Sequence, residues 1–430
     1  MNYKIVGGQK LSGTISTNIS KNSAVALLCA SLLNKGTTTL KGMPNIEEVK
    51  RLVEVLESIG VQVEYVGEDM KIIPPVNIDL QNLNQDAAGK TRSIALFLAP
   101  LAHLLGAFTL PLPGGCQLGV RTMVPHIDAL HRLGIEVKET EKGFEVDASK
   151  RKAGEVIMYE ASDTGVENAL MAAAKLPGTT VIKFASANYM VQDLCFFLER
   201  CGVRIEGIGT STLTVHGIED INADITGYPG EDPIESMTFI SLAATTGSEI
   251  TVERCPIDFL ELELLTFELM GLKYERSAPY TSQNGRMRLV DITVYPSALH
   301  APAEKIAPRP YPGINIDNLP FFVPVATQAE GRTLIHDWVY ETRASYYLEL
   351  NKLGANISMS DPHRVYVQGP TKLKGVEMKS PSALRPSMAI LIGMLAAEGS
   401  SLLTDVYPIQ RGYEQVPQRL QAIGAHIEEA

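Results

Sequence analysis

Apolar runs at helical spacing alternate along this chain with short β-branched stretches of period two. In the first block, residues 23–34 are rich in alanine and leucine and apolar nearly all round. This predicts a helix buried on every side, with Gly36 just past its end. Residues 37–40 read as a short strand. Residues 47–59 then place Val49, Leu52, Val53, Val55 and Leu56 at helical spacing, and Gly60 stops them. Val61, Val63 and Tyr65 alternate as a strand. The block is about 70 residues of β-α-β-α-β-β, one supersecondary unit.

The same block recurs. The glycines that close the second helix are Gly60, Gly134, Gly202, Gly271, Gly354 and Gly424, at successive distances of 74, 68, 69, 83 and 70 residues. Each is preceded by a glycine closing the first helix: Gly36, Gly106, Gly178, Gly247, Gly331 and Gly399, with gaps of 24, 28, 24, 24, 23 and 25. Six pairs so narrowly spaced indicate six copies of one unit. The predicted fold class is α/β: two three-repeat domains, helices inside and sheets outside. The sixth copy ends at Ala430 with no strand left over, whereas the chain begins with an orphan strand at residues 3–6. The predicted domains are therefore residues 1–21 with 231–430, completed by that strand, and residues 22–230. Two crossings, near residue 21 and at Tyr228-Pro229-Gly230, predict a hinge and a cleft.

Composition narrows the partners. The 430 residues are 45% hydrophobic with a net charge of −11, which argues against a general nucleic-acid binder and against binding to anionic membranes. Five scattered cysteines (Cys29, Cys116, Cys195, Cys201, Cys255) lack C-x-x-C spacing, so no disulfide framework or zinc site is expected and a reducing, cytoplasmic setting fits. The start of the chain shows no signal-peptide core. Residues 93–112 are apolar enough to raise a membrane span, but Pro100, His103, Gly106 and Pro111 interrupt them and they fall in register with the repeats.

Charged residues share places in the repeat. Lys21 lies 15 residues before Gly36, and Arg92, Asp317 and Arg385 each lie 14 before Gly106, Gly331 and Gly399. These are helix starts, whose free N–H groups favour anions. Arg343 and Arg411 each lie 12 residues after Gly331 and Gly399, and Arg121 lies 15 after Gly106. The second copy is the one with the long gap, and its extra residues belong to Pro113-Gly114-Gly115-Cys116-Gln117-Leu118-Gly119-Val120-Arg121. A thiol in a glycine-rich loop near a guanidinium ionises more readily than a free one, of pKa about 8.5. It reads as a reactive cysteine on a movable loop or as a spare cysteine in a hairpin. The six cations read as a converging phosphate and carboxylate site or as separate solvated charges. Asp317 reads as an N-cap or as a general base.

The marks Ser20-Lys21-Asn22-Ser23-Ala24, Leu112-Pro113-Gly114-Gly115-Cys116 with Gly119 and Arg121, Glu341-Thr342-Arg343, Leu384-Arg385 and Arg411-Gly412-Tyr413-Glu414 run the length of the chain. Together they resemble the UDP-N-acetylglucosamine enolpyruvyl transferase (1-carboxyvinyltransferase) family of peptidoglycan synthesis. The resemblance implies two inside-out α/β barrels and transfer of the enolpyruvyl group of phosphoenolpyruvate to a sugar hydroxyl, releasing phosphate, with no metal or organic cofactor. It implies that Lys21, Arg121 and Arg411 hold the substrate phosphate and that Arg343 and Arg385 hold its carboxylate or orient the phosphate. Asn22 and Asp317 would meet the acceptor hydroxyl, Asp317 taking its proton. Cys116 would protonate the methylene carbon and could carry a covalent phospholactoyl adduct. Arg92, Arg121, Thr122, Met123, Val124, Pro125 and Val339 would border a nucleotide sugar.

Three departures fall mainly on the nucleotide half. The usual Lys-x-Ser-x-Gly reads Ala161-Ser162-Asp163-Thr164-Gly165, the usual Arg-Glu-Pro-Glu reads Ser186-Ala187-Asn188-Tyr189-Met190-Val191, and the usual Asp-Leu-Arg reads Ala383-Leu384-Arg385. A carboxylate in place of a lysine beside a pyrophosphate weakens its binding. The alternatives are therefore a divergent transferase acting on another hydroxyl, such as that of a nucleotide in a secondary pathway, and a non-catalytic nucleotide-sugar binder.

Overall fold

The computed structural model describes residues 1–114 and 122–430, which fall into two compact units. One, the C-terminal unit, comprises residues 1–18 and 231–430; the other, the central unit, comprises residues 19–114 and 122–230. Cys116 and Arg121 lie outside the described residues.

The central unit has three sheets among its described residues. In the first, Ile225–Gly227 lies parallel to Thr38–Leu40, which pairs antiparallel with Asp69–Ile73 and through it with Gln62–Val66. The strand that opens this sheet thus comes from the far end of the unit's sequence. Arg204–Glu206, Thr212–Gly217, Gly178–Lys183 and Glu155–Ile157 repeat that order. Ala107–Leu110, Gly143–Asp147 and Glu136–Thr140 form a three-stranded version.

The C-terminal unit is built alike. Ser12–Ser16 runs parallel to Glu249–Pro256, beside Arg288–Tyr295 and Lys273–Arg276. Tyr3–Gly7 inserts between Gly399–Thr404 and His426–Glu429, antiparallel to both, so the chain's first strand fills the middle of the sheet made by its last. The third sheet, Gly331–His336, Arg364–Gly369 and Asn356–Asp361, has only isolated bridges where a fourth strand is expected: His300 to Glu330 and Ile306 to Ile335. Pro302, Pro308, Pro310 and Pro312 bracket Ile306 and lack the N–H groups a ladder needs.

The apolar helices form the cores. Pro233–Thr246 is buried along its whole length, Leu384–Ala396 from Arg385 to Leu395, and Asp163–Ala174 from Gly165 onward. Lys21–Ala30 starts two residues before the sequence pattern because Ser20 caps it, its hydroxyl accepting from the Ser23 N–H. It then tightens into a 3-10 turn at Ser31–Leu33, where the Ser31 hydroxyl donates to the Leu28 carbonyl. Gly60, Gly134, Gly202, Gly271, Gly354 and Gly424 all have φ between +72° and +95°, the left-handed conformation that ends a helix without Cβ strain. The apolar stretch at residues 93–112 is split into a 3-10 helix Arg92–Phe97, a helix Leu98–Leu105 and a strand Ala107–Leu110. Among the described residues no helix is long and apolar enough to cross a membrane.

Candidate active site

In the C-terminal unit, two predicted arginines come together around one predicted carboxylate. Asp317 precedes the 3-10 turn Leu319–Phe321, whose N-cap is Asn318 with no side-chain cap, so Asp317 does not serve as a helix cap. Its Oδ1 lies 3.7 Å from Arg343 Nη1 and its Oδ2 lies 3.8 Å from Arg385 Nε. Its side chain is 27% exposed, whereas those of the two arginines are 1% and 5% exposed. A half-open carboxylate thus sits between two desolvated guanidiniums. The turn holding it is braced by Glu263, whose Oε1 accepts from the Asn315 N–H and from Asn318 Nδ2, both at 2.9 Å.

Arg343 opens the 3-10 helix Arg343–Leu353, and most of its donors are used within the protein. Nε and Nη2 form a fork on Asp337 at 2.6 and 2.9 Å, and Nη2 also donates to the Ile316 carbonyl at 2.7 Å. Tyr340 lies under the guanidinium. Burial alone would lower its pKa, but Tyr347, Asp337 and Tyr340 carry it above its ordinary value. Arg385, at the start of Leu384–Ala396, stands over the Tyr413 ring at 5.3 Å. Tyr413 is buried, donates or accepts at Thr238, and is two residues from Arg411, the C-cap of the short Tyr407–Gln410 helix. Asp232 caps Pro233–Thr246 through the Ile234 N–H; burial pushes its carboxyl up to about 6 against the pull of Arg385.

The central unit gathers a second cluster. Lys21 and Asn22 begin Lys21–Ala30, and Asn22 Nδ2 donates to the Tyr189 hydroxyl at 3.2 Å. Asn188 caps the Tyr189–Arg200 helix, and its Nδ2 reaches Asp163 Oδ2 at 3.2 Å; the Ser186 hydroxyl donates to Oδ1 at 2.5 Å. Glu167, one turn on from Asp163, is wholly buried: burial first and Asp163 second push its carboxyl well up, against Lys21. Arg92 opens Arg92–Phe97, and its Nη2 donates to the Thr122 carbonyl at 3.1 Å and contacts Met123 Sδ at 3.5 Å. This joins Arg92 to the stretch Thr122, Met123, Val124, Pro125, which leads into the Val124–Arg132 helix. His126 on that helix meets Thr164 and Asn168 at the start of Asp163–Ala174.

The cluster in the C-terminal unit can do two things. Its buried guanidiniums can hold a carboxylate or a phosphate. A half-exposed carboxylate among them can accept a proton from a group brought beside it.

Residues 5–420 match the EPSP synthase (3-phosphoshikimate 1-carboxyvinyltransferase) family. The chain belongs to that family. It is a carboxyvinyl transferase, and enolpyruvyl transfer is its chemistry. The UDP-N-acetylglucosamine 1-carboxyvinyltransferases of Bradyrhizobium diazoefficiens and Treponema denticola are each 34% identical to it, over 99% of this chain and 97% and 98% of theirs. The solved structure of the enolpyruvyl transferase NikO from Streptomyces tendae superposes with a TM-score of 0.86 at 23% identity, covering 100% of this chain and 98% of that one. EPSP synthase from Acinetobacter baumannii superposes at 0.75 with 18% identity, covering 99% of each chain.

Two residues of this transferase escaped the repeat count although the count reaches them. Asp163 and Asp232 each lie 15 residues before the first glycine of their copy, Gly178 and Gly247. All six copies therefore place a charged residue at the same helix start: Lys21, Arg92, Asp163, Asp232, Asp317 and Arg385. Asp337 and Glu167 carry no such signal; only burial marks them. Val339 is exposed beside Trp338, whose indole N–H donates to the Pro308 carbonyl. Ala383 is the N-cap of Leu384–Ala396 and provides no side-chain cap.

Proposed function

We propose that this transferase moves the enolpyruvyl group of phosphoenolpyruvate to the 3-hydroxyl of UDP-N-acetylglucosamine, the first committed step of peptidoglycan synthesis, in the cytoplasm. The observation that carries the reading is Asp317 held between the buried Arg343 and Arg385, an acid placed among cations. Full-length relatives bearing that activity in their names support it. Lys21, Arg121 and Arg411 take the phosphate, and Arg385 with Arg343 faces the carboxylate. Asn22 and Asp317 meet the hydroxyl, while Arg92, the stretch from Arg121 through Thr122, Met123 and Val124 to Pro125, and Val339 border the nucleotide sugar. The six copies form two inside-out barrels of three repeats, with residues 1–21 and 231–430 in one and 22–230 in the other.

Cys116 delivers a proton to C3 of phosphoenolpyruvate, making C2 cationic. The hydroxyl oxygen bonds to C2 as its proton passes to Asp317, giving a tetrahedral adduct. The Cys116 thiolate then takes a proton back from C3 as the C2–O bond to phosphate breaks, which restores the double bond and releases phosphate with the proton held by Asp317. Substrate anions brought beside Asp317 repel it, and the fixed cations offset that repulsion.

A second reading, transfer to a different hydroxyl acceptor such as a mononucleotide, is favoured by one feature. The Asp163–Ala174 helix, whose free N–H groups suit a phosphate, begins instead with a carboxylate held by Ser186 and Asn188. Phosphate release from phosphoenolpyruvate with UDP-N-acetylglucosamine, against uridine monophosphate and other nucleotides, decides between them. Release only with the diphosphate sugar supports the first reading, and release only with another acceptor supports the second. Tight binding with no release from any acceptor refutes both.

A further inference from the structure

The two stretches of the central unit that depart from the family pattern meet in the structure. Asp163, from residues 161–165, accepts from the Ser186 hydroxyl at 2.5 Å and from Asn188 Nδ2 at 3.2 Å, both from residues 186–191. The Asn188 backbone N–H donates to the Ser186 hydroxyl at 3.2 Å. Asn188 Oδ1 accepts from the Tyr189 N–H at 2.9 Å and so caps the Tyr189–Arg200 helix. That helix therefore starts where Asp163 holds it, and its first residue is a tyrosine. Tyr189 is fully buried, and its hydroxyl accepts from Asn22 Nδ2 at 3.2 Å. The two side chains come from helices that pack together, Lys21–Ala30 and Tyr189–Arg200. Asn22 is half-buried, in the first turn of its helix. The last torsion of an asparagine is broad, so its amide keeps one plane only where a neighbour fixes it. A buried ring set by a capped helix start is such a neighbour.

We propose that Tyr189 is a positioning residue for Asn22: its hydroxyl sets the plane of the amide that meets the acceptor hydroxyl, and Asn188 and Asp163 set Tyr189. The inference rests on the reading of Asn22 as a contact of the acceptor. With the phenol in place, the amide is ordered before the acceptor arrives. Without it, the acceptor must order the amide itself and binds more weakly. Asp163 then bears on the acceptor through this chain of hydrogen bonds, and not only through its charge.

The experiment is a double-mutant cycle in the full-length chain, read by phosphate release with UDP-N-acetylglucosamine and uridine monophosphate as the probes. In Tyr189→Phe the KM for the probe that supports release rises about three- to tenfold, the worth of one hydrogen bond, while the KM for phosphoenolpyruvate stays in place. Asn22→Ala raises the same acceptor KM, and Tyr189→Phe adds nothing further in that background. An acceptor KM unmoved in Tyr189→Phe, or raised equally with and without Asn22, overturns the proposal, even where phosphate release shows the transferase reading to be right. If Tyr189 served packing alone, its loss would lower the melting temperature and leave the acceptor KM in place. Should Tyr189→Phe not fold, Asn188→Ser decides. It keeps an oxygen to cap the helix but loses the donor to Asp163, so the acceptor KM rises only while Asn22 is present; an unmoved KM overturns the proposal. If neither probe gives release, calorimetric binding of the two probes completes the same cycle. Coupling there keeps the role of Tyr189 and overturns the reading of the reaction, and its absence, or binding of neither probe, overturns both.

Discussion

Replacing Asp317 with asparagine is the most direct probe of the proposed chemistry. The amide keeps the volume of the side chain, but it carries no charge and cannot take a proton. A positioned general base contributes about 10²–10⁴-fold, so kcat should fall by that factor, equivalent to about 3–5 kcal/mol of barrier. The effect on phosphoenolpyruvate should have the opposite sign. Asp317 is the anion 3.7 and 3.8 Å from two guanidiniums, and neutralising it leaves both with more charge to offer an incoming anion. With an effective dielectric of about 20, one unit charge about 8 Å away is worth about 2 kcal/mol before screening, so the KM for phosphoenolpyruvate should fall by up to about 30-fold. Steady-state phosphate release, with each substrate varied in turn, separates the two effects. A wild-type kcat removes Asp317 from the proton transfer. A KM for phosphoenolpyruvate that rises as kcat falls shows that Asp317 served binding or folding, and the charge argument fails.

Three further outcomes follow from burial and backbone geometry. An epoxide phosphonate of the fosfomycin type should alkylate Cys116 alone, because Cys29, Cys195, Cys201 and Cys255 are buried and burial pushes their thiols up, to about 12 for Cys201 and Cys255; mass spectrometry that maps the adduct to another cysteine, or finds none, refutes this. Glu167 has a folded pKa raised by burial above the unfolded value of about 4.3, so its contribution to stability declines as pH rises above that value. Glu167→Gln should therefore be more stable than wild type at pH 7 and gain less at pH 5; urea melts showing the same pH slope for both proteins would contradict it. Gly134→Ala should destabilise far more than Gly424→Ala, although both glycines end a helix at positive φ, +72° and +90°. A Cβ at 134 would lie 2.2 Å from the Lys150 carbonyl oxygen, whereas at 424 nothing lies within 4 Å and only the left-handed strain of about 1–2 kcal/mol remains. Equal denaturation midpoints for the two variants would rule out the steric reading.

The helices and their ends were legible because they depend on local rules. A helix buried on all sides must be apolar on all sides, as residues 233–246 and 384–396 are, and a helix that stops without a cap needs a residue free to adopt positive φ. Pairing over long distances was less legible. The repeat pattern left residues 3–6 without a partner, and that remainder pointed to the far end of the chain, where Tyr3–Gly7 joins the last sheet. Nothing comparable marked Ser12–Ser16 or Ile225–Gly227, short strands whose parallel partners lie more than 180 residues away. The missing fourth strand beside Gly331–His336 could have been foreseen, because prolines flank Ile306, one of the two residues that bridge there.

The site divides along the same line. A side chain fixed to a repeat position is found by counting, and the count that located Lys21, Arg92, Asp317 and Arg385 also reaches Asp163 and Asp232. An aspartate at a helix start also has an ordinary role as a cap, which Asp232 fills through Ile234. What counting cannot supply is the partner behind each charge. Arg343 is an arginine in a shared position whether it faces a substrate or an internal acid, and only the Asp337 fork distinguishes the two. The distinction matters because it changes what the cations do: a guanidinium already paired offers a field and a fixed direction rather than a free charge.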